Sequence, residues 1–357
     1  MAAGRCQFDG CNTLLIEHHV TKEAGNYADR AHIVAYKPAG PRGGSERPTN
    51  IHSLENLMLV CSQCHKLIDD NPTAYSTETL REYKRAHEER VRLITGLDKN
   101  HQTKVLLVKA RISDDLVDIV KGDVTTAIAP YYPDDSRFFE IDLTQLRVSD
   151  ETFYDAAQQT IRTRVQQLLE IGPAHISVFA LAPIPVLIFL GNVLTNKITV
   201  DLFQRHRDNG GWKWKNGGTP AEYAYHRLRD GVERSRVALI LSLSGEIDRA
   251  ALPSSIDCSF SIYEIRLENQ EATPDFLKTK IDLDAFRLAY RSAIADLRRN
   301  HGILETIALF PAVPAPVAIA CGHDLLPKVD PALDVYDYDK RNGGFRFALT
   351  VNRDRRI

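Results

Sequence analysis

The chain opens without an apolar stretch: Met1 to Gly10 is polar and has none of the hydrophobic core of a signal peptide. Its long C-terminal part carries neither a GxGxxG fingerprint nor a Walker lysine motif, which leaves ordinary dinucleotide and nucleoside triphosphate binding without support. Basic charge is not in excess. Lys plus Arg number 45 against 47 Asp plus Glu, a net charge of −2, which argues against a protein that coats nucleic acid constitutively. Any basic contact surface must be local or assembled from several copies. Cysteine occurs six times and tryptophan twice in 357 residues. A cytoplasmic, reducing setting without a membrane partner is expected, and there disulfides are disfavoured.

Four of the six cysteines stand in paired spacing: Cys6-x4-Cys11 and Cys61-x2-Cys64. Zn²⁺ needs four soft or borderline ligands at tetrahedral corners, and two short knuckles from distant segments supply them. Cys258 and Cys321 stand alone in apolar surroundings and are expected to be inert core thiols. Between the knuckles lie Ala31-His32-Ile33 and Asn56-Leu57, and His65 follows Cys64 directly.

This ordered set resembles the HNH endonucleases over about residues 1–75. The resemblance implies an α+β, zinc-bound ββα-metal domain with the first histidine on a strand and the last on a helix. It makes His32 the general base that activates water. Asn56 orients that base or helps hold a divalent metal, and His65 is a metal ligand. The chemistry agrees: a phosphodiester is a poor electrophile, so hydrolysis needs a base that works near neutral pH and a cation on the scissile phosphate. Mg²⁺ suits a site with few protein ligands. One position departs from the family pattern. Many HNH enzymes place a metal ligand immediately before the base, where this chain has Ala31. Asp29 could substitute, although strand alternation sets it on the face opposite His32. His18 and His19 are read as ordinary surface or core residues.

The segment Lys37 to Pro48 is rich in Gly and Pro and reads as a loop. Lys37, Arg42 and Arg47 are DNA-backbone contacts on one reading and solvated loop charges on the other. Asn71-Pro72 breaks the zinc helix. Residues 76–101 then read as a connecting helix and linker, with Leu80, Tyr83, Ala86 or His87, Val91 and Ile94 at helical spacing and Gly96 as a stop.

The remaining residues, about 102–357, contain a duplication. Pro183-Ile184-Pro185-Val186 to Gly191 aligns with Pro314-Ala315-Pro316-Val317 to Gly322 at a shift of 131 residues. Strand candidates precede both copies (175–181 and 305–310) and follow both (198–203 and 332–336). Helical segments lie upstream at 155–170 and 284–299, and 104–108 resembles 236–240. Alternating strands and helices argue for two parallel α/β, Rossmann-like halves, about 102–230 and 231–357. Proline opening each repeated helix fits its first turn.

Two open sheet edges related by pseudo-symmetry would form one cleft for a ligand that is itself nearly two-fold or cyclic. This architecture, with the run from Leu190-Gly191 to Gly210-Gly211-Trp212-Lys213-Trp214, resembles the SAVED domain, a fusion of two CARF-like units. The chain as a whole resembles the HNH–SAVED effector nucleases of cyclic-oligonucleotide-based antiphage signalling systems (CBASS). That resemblance implies binding of a cyclic di- or trinucleotide, assembly into a homo-oligomer, and degradation of double-stranded DNA by the HNH domain.

Aromatic faces and cations suit bases and phosphates. Trp212 and Trp214, in a W-K-W-K run between two Gly pairs, are therefore candidate ligand contacts, as are Gln204 and Arg205 at a strand end. His323, Lys328 and Tyr336 are the candidates in the second half. Each has an alternative as a packing or surface residue, and Asp134-Asp135 and Arg355-Arg356 are left as solvated charge. Two other functions stay open: a restriction-type HNH endonuclease whose C-terminal domain reads DNA without a messenger, and a sensor or scaffold whose HNH domain is inactive because of Ala31.

Overall fold

The structure is a computed structural model and describes residues 2–44, 46–112, 118–135, 137–148, 150–195, 198–340 and 343–353; Ser45 in the loop and Arg355-Arg356 fall outside them. The chain divides into two units, Met1–Lys99 and Asn100–Ile357.

The first unit has little regular structure. Strand β1 (Asp29–His32) pairs antiparallel with β2 (Leu57–Val60), and helices α1 (Ser62–Asp70) and α2 (Thr77–Thr95) follow. Cys61 caps α1 by accepting the Cys64 amide on its sulfur, and Ser76 caps α2 through the Thr79 amide. The core gathers Cys6, Leu15, Ala31, Ile33, Met58, Val60, Cys64, Ile68 and Leu80. Phe8, from the first knuckle, meets Tyr75 and Tyr83 edge-on at 5.4 and 5.5 Å. The helix expected to be a connector thus contributes Leu80 and Tyr83 to the core of the first unit. Gly96 caps it as anticipated, but Ile94 is exposed.

The second unit holds two sheets. The first contains β3 (Gln102–Lys109), β4 (Tyr132–Pro133), β5 (Phe139–Asp142), β6 (His175–Leu181) and β7 (Thr199–Leu202), with helices α3 (Lys121–Ala127), α4 (Phe153–Glu170) and α5 (Ile184–Leu194). The second contains β8 (Tyr223–Arg229), β9 (Val237–Ser242), β10 (Ser261–Leu267), β11 (Thr306–Ala312), β12 (Ala332–Asp339) and β13 (Gly344–Val351), with α6 (Lys280–His301) and α7 (Ala315–His323). Parallel strands run β5-β3-β6-β7 in one and β10-β9-β11-β12 in the other. The duplicated segments occupy equivalent places in these two orders. Their near-continuous apolar runs are what a sheet covered on both faces requires.

One core spans both halves. Leu106, Val178, Leu239 and Leu309 face α4 to α7, which lie between the sheets. Helices α5 and α7 pack on one another: a β-carbon at Gly191 would collide with the Ile319 carbonyl oxygen, and one at Gly322 with the Ile188 carbonyl oxygen. Both contacts obey the 131-residue shift, so the pair has approximate two-fold symmetry. Polar straps cross the same seam. Tyr154 of α4 donates to Asp337 of β12 at 2.6 Å, and Lys280 of α6 pairs with Asp201 of β7 at 2.6 Å.

Three expectations need correction. Residues 223–229 fall in the sequence-based first half, but as β8 they pair antiparallel with β10, so the seam falls between Leu202 and Tyr223. Cys258 is exposed, because it sits in the turn before β10; Cys321 is buried as expected. Asp134 is 2.8 Å from Lys104, whose side chain is nearly buried, and so does not stand as free solvated charge. Among the described residues no helix is long and apolar enough to cross a membrane.

Candidate functional site

Strand β1 delivers two neighbours to opposite faces. Ala31 turns into the core at 1% exposure, and His32, paired with Leu57, turns outward. A carboxylate at position 31 would be buried there with no charge partner, which accounts for the alanine. His65, near the start of α1, lies between two carboxylates. Its Nδ1 is 3.3 Å from Asp29 Oδ2 and its Nε2 is 3.5 Å from Asp69 Oδ2, one helical turn on. Asp29 reaches His65 despite its strand parity. All three side chains are about one-third exposed or more, open to a substrate. An imidazole flanked by hard oxygen donors fits a divalent ion such as Mg²⁺ or Mn²⁺, with one ring nitrogen free to ligate while the other stays on a carboxylate.

Burial, then the nearby His52, His65 and Arg30, hold the His32 imidazole below its ordinary pKa, with Asp69 opposing them. A neutral ring with a free lone pair is what a general base needs.

Asn56 is 3% exposed and its amide is spent on backbone. Oδ1 accepts the Val34 amide at 2.9 Å, and Nδ2 donates to the Val34 and Ile51 carbonyls at 3.0 and 2.9 Å. It therefore pins the chain around His32, and the metal-holding option is corrected. One of the expected DNA contacts is corrected likewise. Arg42 leaves 3% of its side chain exposed and donates to the Ile33 carbonyl at 2.8 Å, the Ile68 carbonyl at 2.6 Å and Asp69 Oδ1 at 2.8 Å. It fixes the carboxylate beside His65. Arg47 donates to the Ala35 and Tyr36 carbonyls. Arg47 and Lys37 are both exposed.

The four cysteines Cys6, Cys11, Cys61 and Cys64 bring their sulfurs within 4.8 Å of one another, the one such cluster of metal-ligating side chains among the described residues. Cys11 and Cys61 are 3.9 Å apart. Zn–S bonds of about 2.3 Å give tetrahedral edges of about 3.8 Å, so the cluster fits Zn²⁺. Burial and the adjacent sulfurs push Cys6 up to about 11 and Cys64 higher still. Cys11 escapes: burial would raise it, but hydrogen bonds from Thr13 and the other thiols bring it to about 7. Four crowded thiols lose their protons together only when a dication compensates the charge.

In the second unit the candidates separate. Gln204 and Arg205 lie just past the carboxyl end of β7, after Phe203, where an open parallel sheet takes its ligand. Gln204 Oε1 is buried without a protein partner, as is Nε2 of His206 two residues on. Trp212 is corrected: it is 2% exposed and packs edge-on against Phe179 at 5.2 Å. Trp214 is half-buried and donates its indole N–H to the Leu202 carbonyl at 3.2 Å. His323 closes α7, which has run back to the amino ends of the strands, and Lys328 precedes β12, so neither is at the carboxyl edge. His323 instead bonds Asp324 at 3.1 Å, beside Arg287. Tyr336 stacks on Phe310 at 4.6 Å in the outer aromatic cluster of the second sheet.

The sequence reading missed Asp69 and His52. Asp69 was accessible, since i and i+4 share a helix face. His52 carried no signal; only the turn before Asn56 brings it to 3.2 Å from His32.

The model of the SAVED family, described as "SMODS-associated and fused to various effectors sensor domain", matches residues 153–351, more than half of the chain. The chain belongs to the SAVED family. Ahead of the SAVED match, residues 6–73 match the model described as HNH endonuclease, so the SAVED sensor is joined to an HNH domain. No curated protein matches this SAVED chain. Solved structures similar to it include the Acinetobacter baumannii Cap4 SAVED/CARF-domain containing receptor with the cyclic trinucleotide 2'3'3'-cAAA (14% identity, TM-score 0.46) and with 3'3'3'-cAAA (11%, 0.48). The Moraxella osloensis Cap4 receptor is also similar (10%, 0.41). The first two alignments cover 82% of this chain and 62% of the receptor; the third covers 81% and 60%. The SAVED chain thus spans about three fifths of the length of these receptors.

Proposed function

We propose that the protein is a ligand-gated endonuclease of the CBASS type: a cyclic di- or trinucleotide on the SAVED unit drives oligomerisation, and the HNH domain then degrades double-stranded DNA. The observation that carries the reading is His65 held between Asp29 and Asp69, with His65 and Asp69 near enough to His32 for their charges to act on its imidazole, in the unit that also carries the four-cysteine cluster. His32 takes a proton from water, and the resulting hydroxide attacks phosphorus. His65 and the carboxylate at its ligating nitrogen, Asp29 or Asp69, would hold a divalent cation such as Mg²⁺, which would offset the charge that develops on the phosphate, while the other carboxylate stays on the second ring nitrogen. Arg42 keeps Asp69 in place, and Asn56 keeps the His32 segment in place. Zn²⁺ on the four cysteines is structural. On the sensor side, Gln204, Arg205 and Trp214 are the ligand candidates that lie at a carboxyl edge. The messenger must bind the assembled state better than the resting one, or it shifts nothing.

The test is plasmid cleavage in Mg²⁺ with and without a panel of cyclic di- and trinucleotides that includes 2'3'3'-cAAA and 3'3'3'-cAAA, with light scattering alongside. Cleavage and a rise in mass that both depend on one messenger are expected. Cleavage in the absence of any messenger would favour the restriction-type reading. Messenger binding without cleavage would favour an inactive HNH scaffold.

A further inference from the structure

His52 lies outside the His32, Asn56 and His65 set. Its Nδ1 is 3.2 Å from His32 Nε2, and three devices fix it there. Its own amide donates to Asn50 Oδ1 at 3.1 Å. The preceding carbonyl, of Ile51, accepts from Asn56 Nδ2 at 2.9 Å. Its ring stacks on Tyr36, with centroids 5.2 Å apart and planes 27° from parallel. Asn56 also binds both backbone groups of Val34, two residues beyond His32. One buried amide therefore sets the spacing of the two imidazoles. An exposed ring pair held only by its own bond would lose that geometry to side-chain entropy.

Two neutral imidazoles sharing one hydrogen bond need one donor and one acceptor. If His52 donated, His32 would carry its proton on Nδ1 and have no lone pair left for water. If His32 donates from Nε2, its Nδ1 is bare, and both rings carry the proton on Nε2, the tautomer that free histidine favours. Resting on the reading of His32 as the general base, we infer that His52 is a positioning residue that holds His32 in the tautomer with Nδ1 bare. In the hydrolytic step a water O–H bond breaks and its proton passes to His32 Nδ1. The hydroxide oxygen bonds to phosphorus, and the ester oxygen leaves with the electron pair of its P–O bond. The imidazolium left on His32 then donates through Nε2 to His52, a charge-assisted bond stronger than the neutral one before it.

Histidine-selective ¹⁵N labelling of the full chain, in mildly alkaline buffer and assigned by difference from His32→Gln, reads the tautomer directly. The wild type should show His32 protonated on Nε2. His52→Ala should move both nitrogens toward the average of two tautomers. His52→Asn, which presents an oxygen where Nδ1 stood, should restore the pattern. A wild-type His32 protonated on Nδ1, or a pattern unchanged in His52→Ala, overturns the inference.

Plasmid cleavage in Mg²⁺ with the messenger panel is the second arm. kcat in His52→Ala should fall about 10- to 100-fold with KM for DNA unchanged, and His52→Asn should recover most of it. A loss through KM alone overturns the inference and makes His52 a DNA contact. A wild type that cleaves nothing counts against the nuclease reading itself, and the tautomer measurement still decides His52.

Discussion

The two units are held together by different means. In the first, the strands are four residues each, and much of the order comes from polar side chains that grip backbone: Gln7 on Leu59, Asn56 on Val34 and Ile51, Arg42 on Ile33 and Ile68. Four cysteines close the knot. In the second, buried strands and four helices share one continuous apolar core. A small domain buries little apolar surface, so specific bonds and a metal on the four cysteines would carry much of its stability. The difference teaches that stability in the first unit is concentrated at a few atoms and in the second is spread over many.

That contrast can be broken first at the metal knot. Chelation, or Cys61→Ser, should remove a binding contribution on the order of 10 kcal/mol and unfold the first unit while the second unit's melting transition stays put. Zinc content by metal analysis and two-transition calorimetry check it; unchanged zinc in Cys61→Ser would refute it. Next in size, His32→Ala should lower messenger-dependent plasmid cleavage about 10³-fold, near 4 kcal/mol in the barrier, with folding and ligand binding intact. Activity close to wild type would remove His32 from the chemistry.

The spread core of the second unit should still have one point of weakness. Gly191→Ala forces a methyl group against the Ile319 carbonyl and should cost about 3 kcal/mol in the second unit's denaturant midpoint, and Gly322→Ala about the same. Unequal costs would mean the seam is not symmetric in energy.

The smallest effect concerns charge. Burial would raise the Asp324 carboxyl, but hydrogen bonds from His323 and Arg287 outweigh it and hold the group at about 2, below its ordinary 3.8. A depressed carboxylate contributes its full stability above the ordinary value and loses it as pH falls toward the folded one. Asp324→Asn should therefore cost about 2 kcal/mol at neutral pH, and the gap from wild type should close between about pH 4 and 2. A gap that stays constant with pH would mean the loss is one of packing.

What the sequence discloses follows the same division. Cysteine spacing encodes the knot because ligand chemistry leaves few alternatives. The duplication is legible because a strand buried on both faces must be apolar along its length, and because the tight crossing of α5 and α7 needs glycine at 191 and 322. Direction is harder to read. Arg42 announces positive charge, yet its guanidinium group turns inward to two carbonyls and a carboxylate, and nothing in a Gly- and Pro-rich loop says so. The alternation Trp212-Lys213-Trp214 resembles a ligand platform, but Trp212 is buried against Phe179 and only Trp214 stays half-exposed. His323 and Lys328 have plausible chemistry at the wrong end of the strands. Strand β8 joins the second sheet because its partner, β10, lies there. Residue type is local; the edge and face where a residue ends up are set by pairings far along the chain.

The crossing of α5 and α7 carries a meaning of its own. Each helix meets in the other a surface much like itself, with glycine opposite carbonyl in both directions. Such a surface is self-complementary, as in a homodimer, although here a single polypeptide supplies both copies. Tethering removes the dependence on concentration and frees the two copies to diverge. What they must keep in common is the crease itself, glycine against carbonyl on both sides.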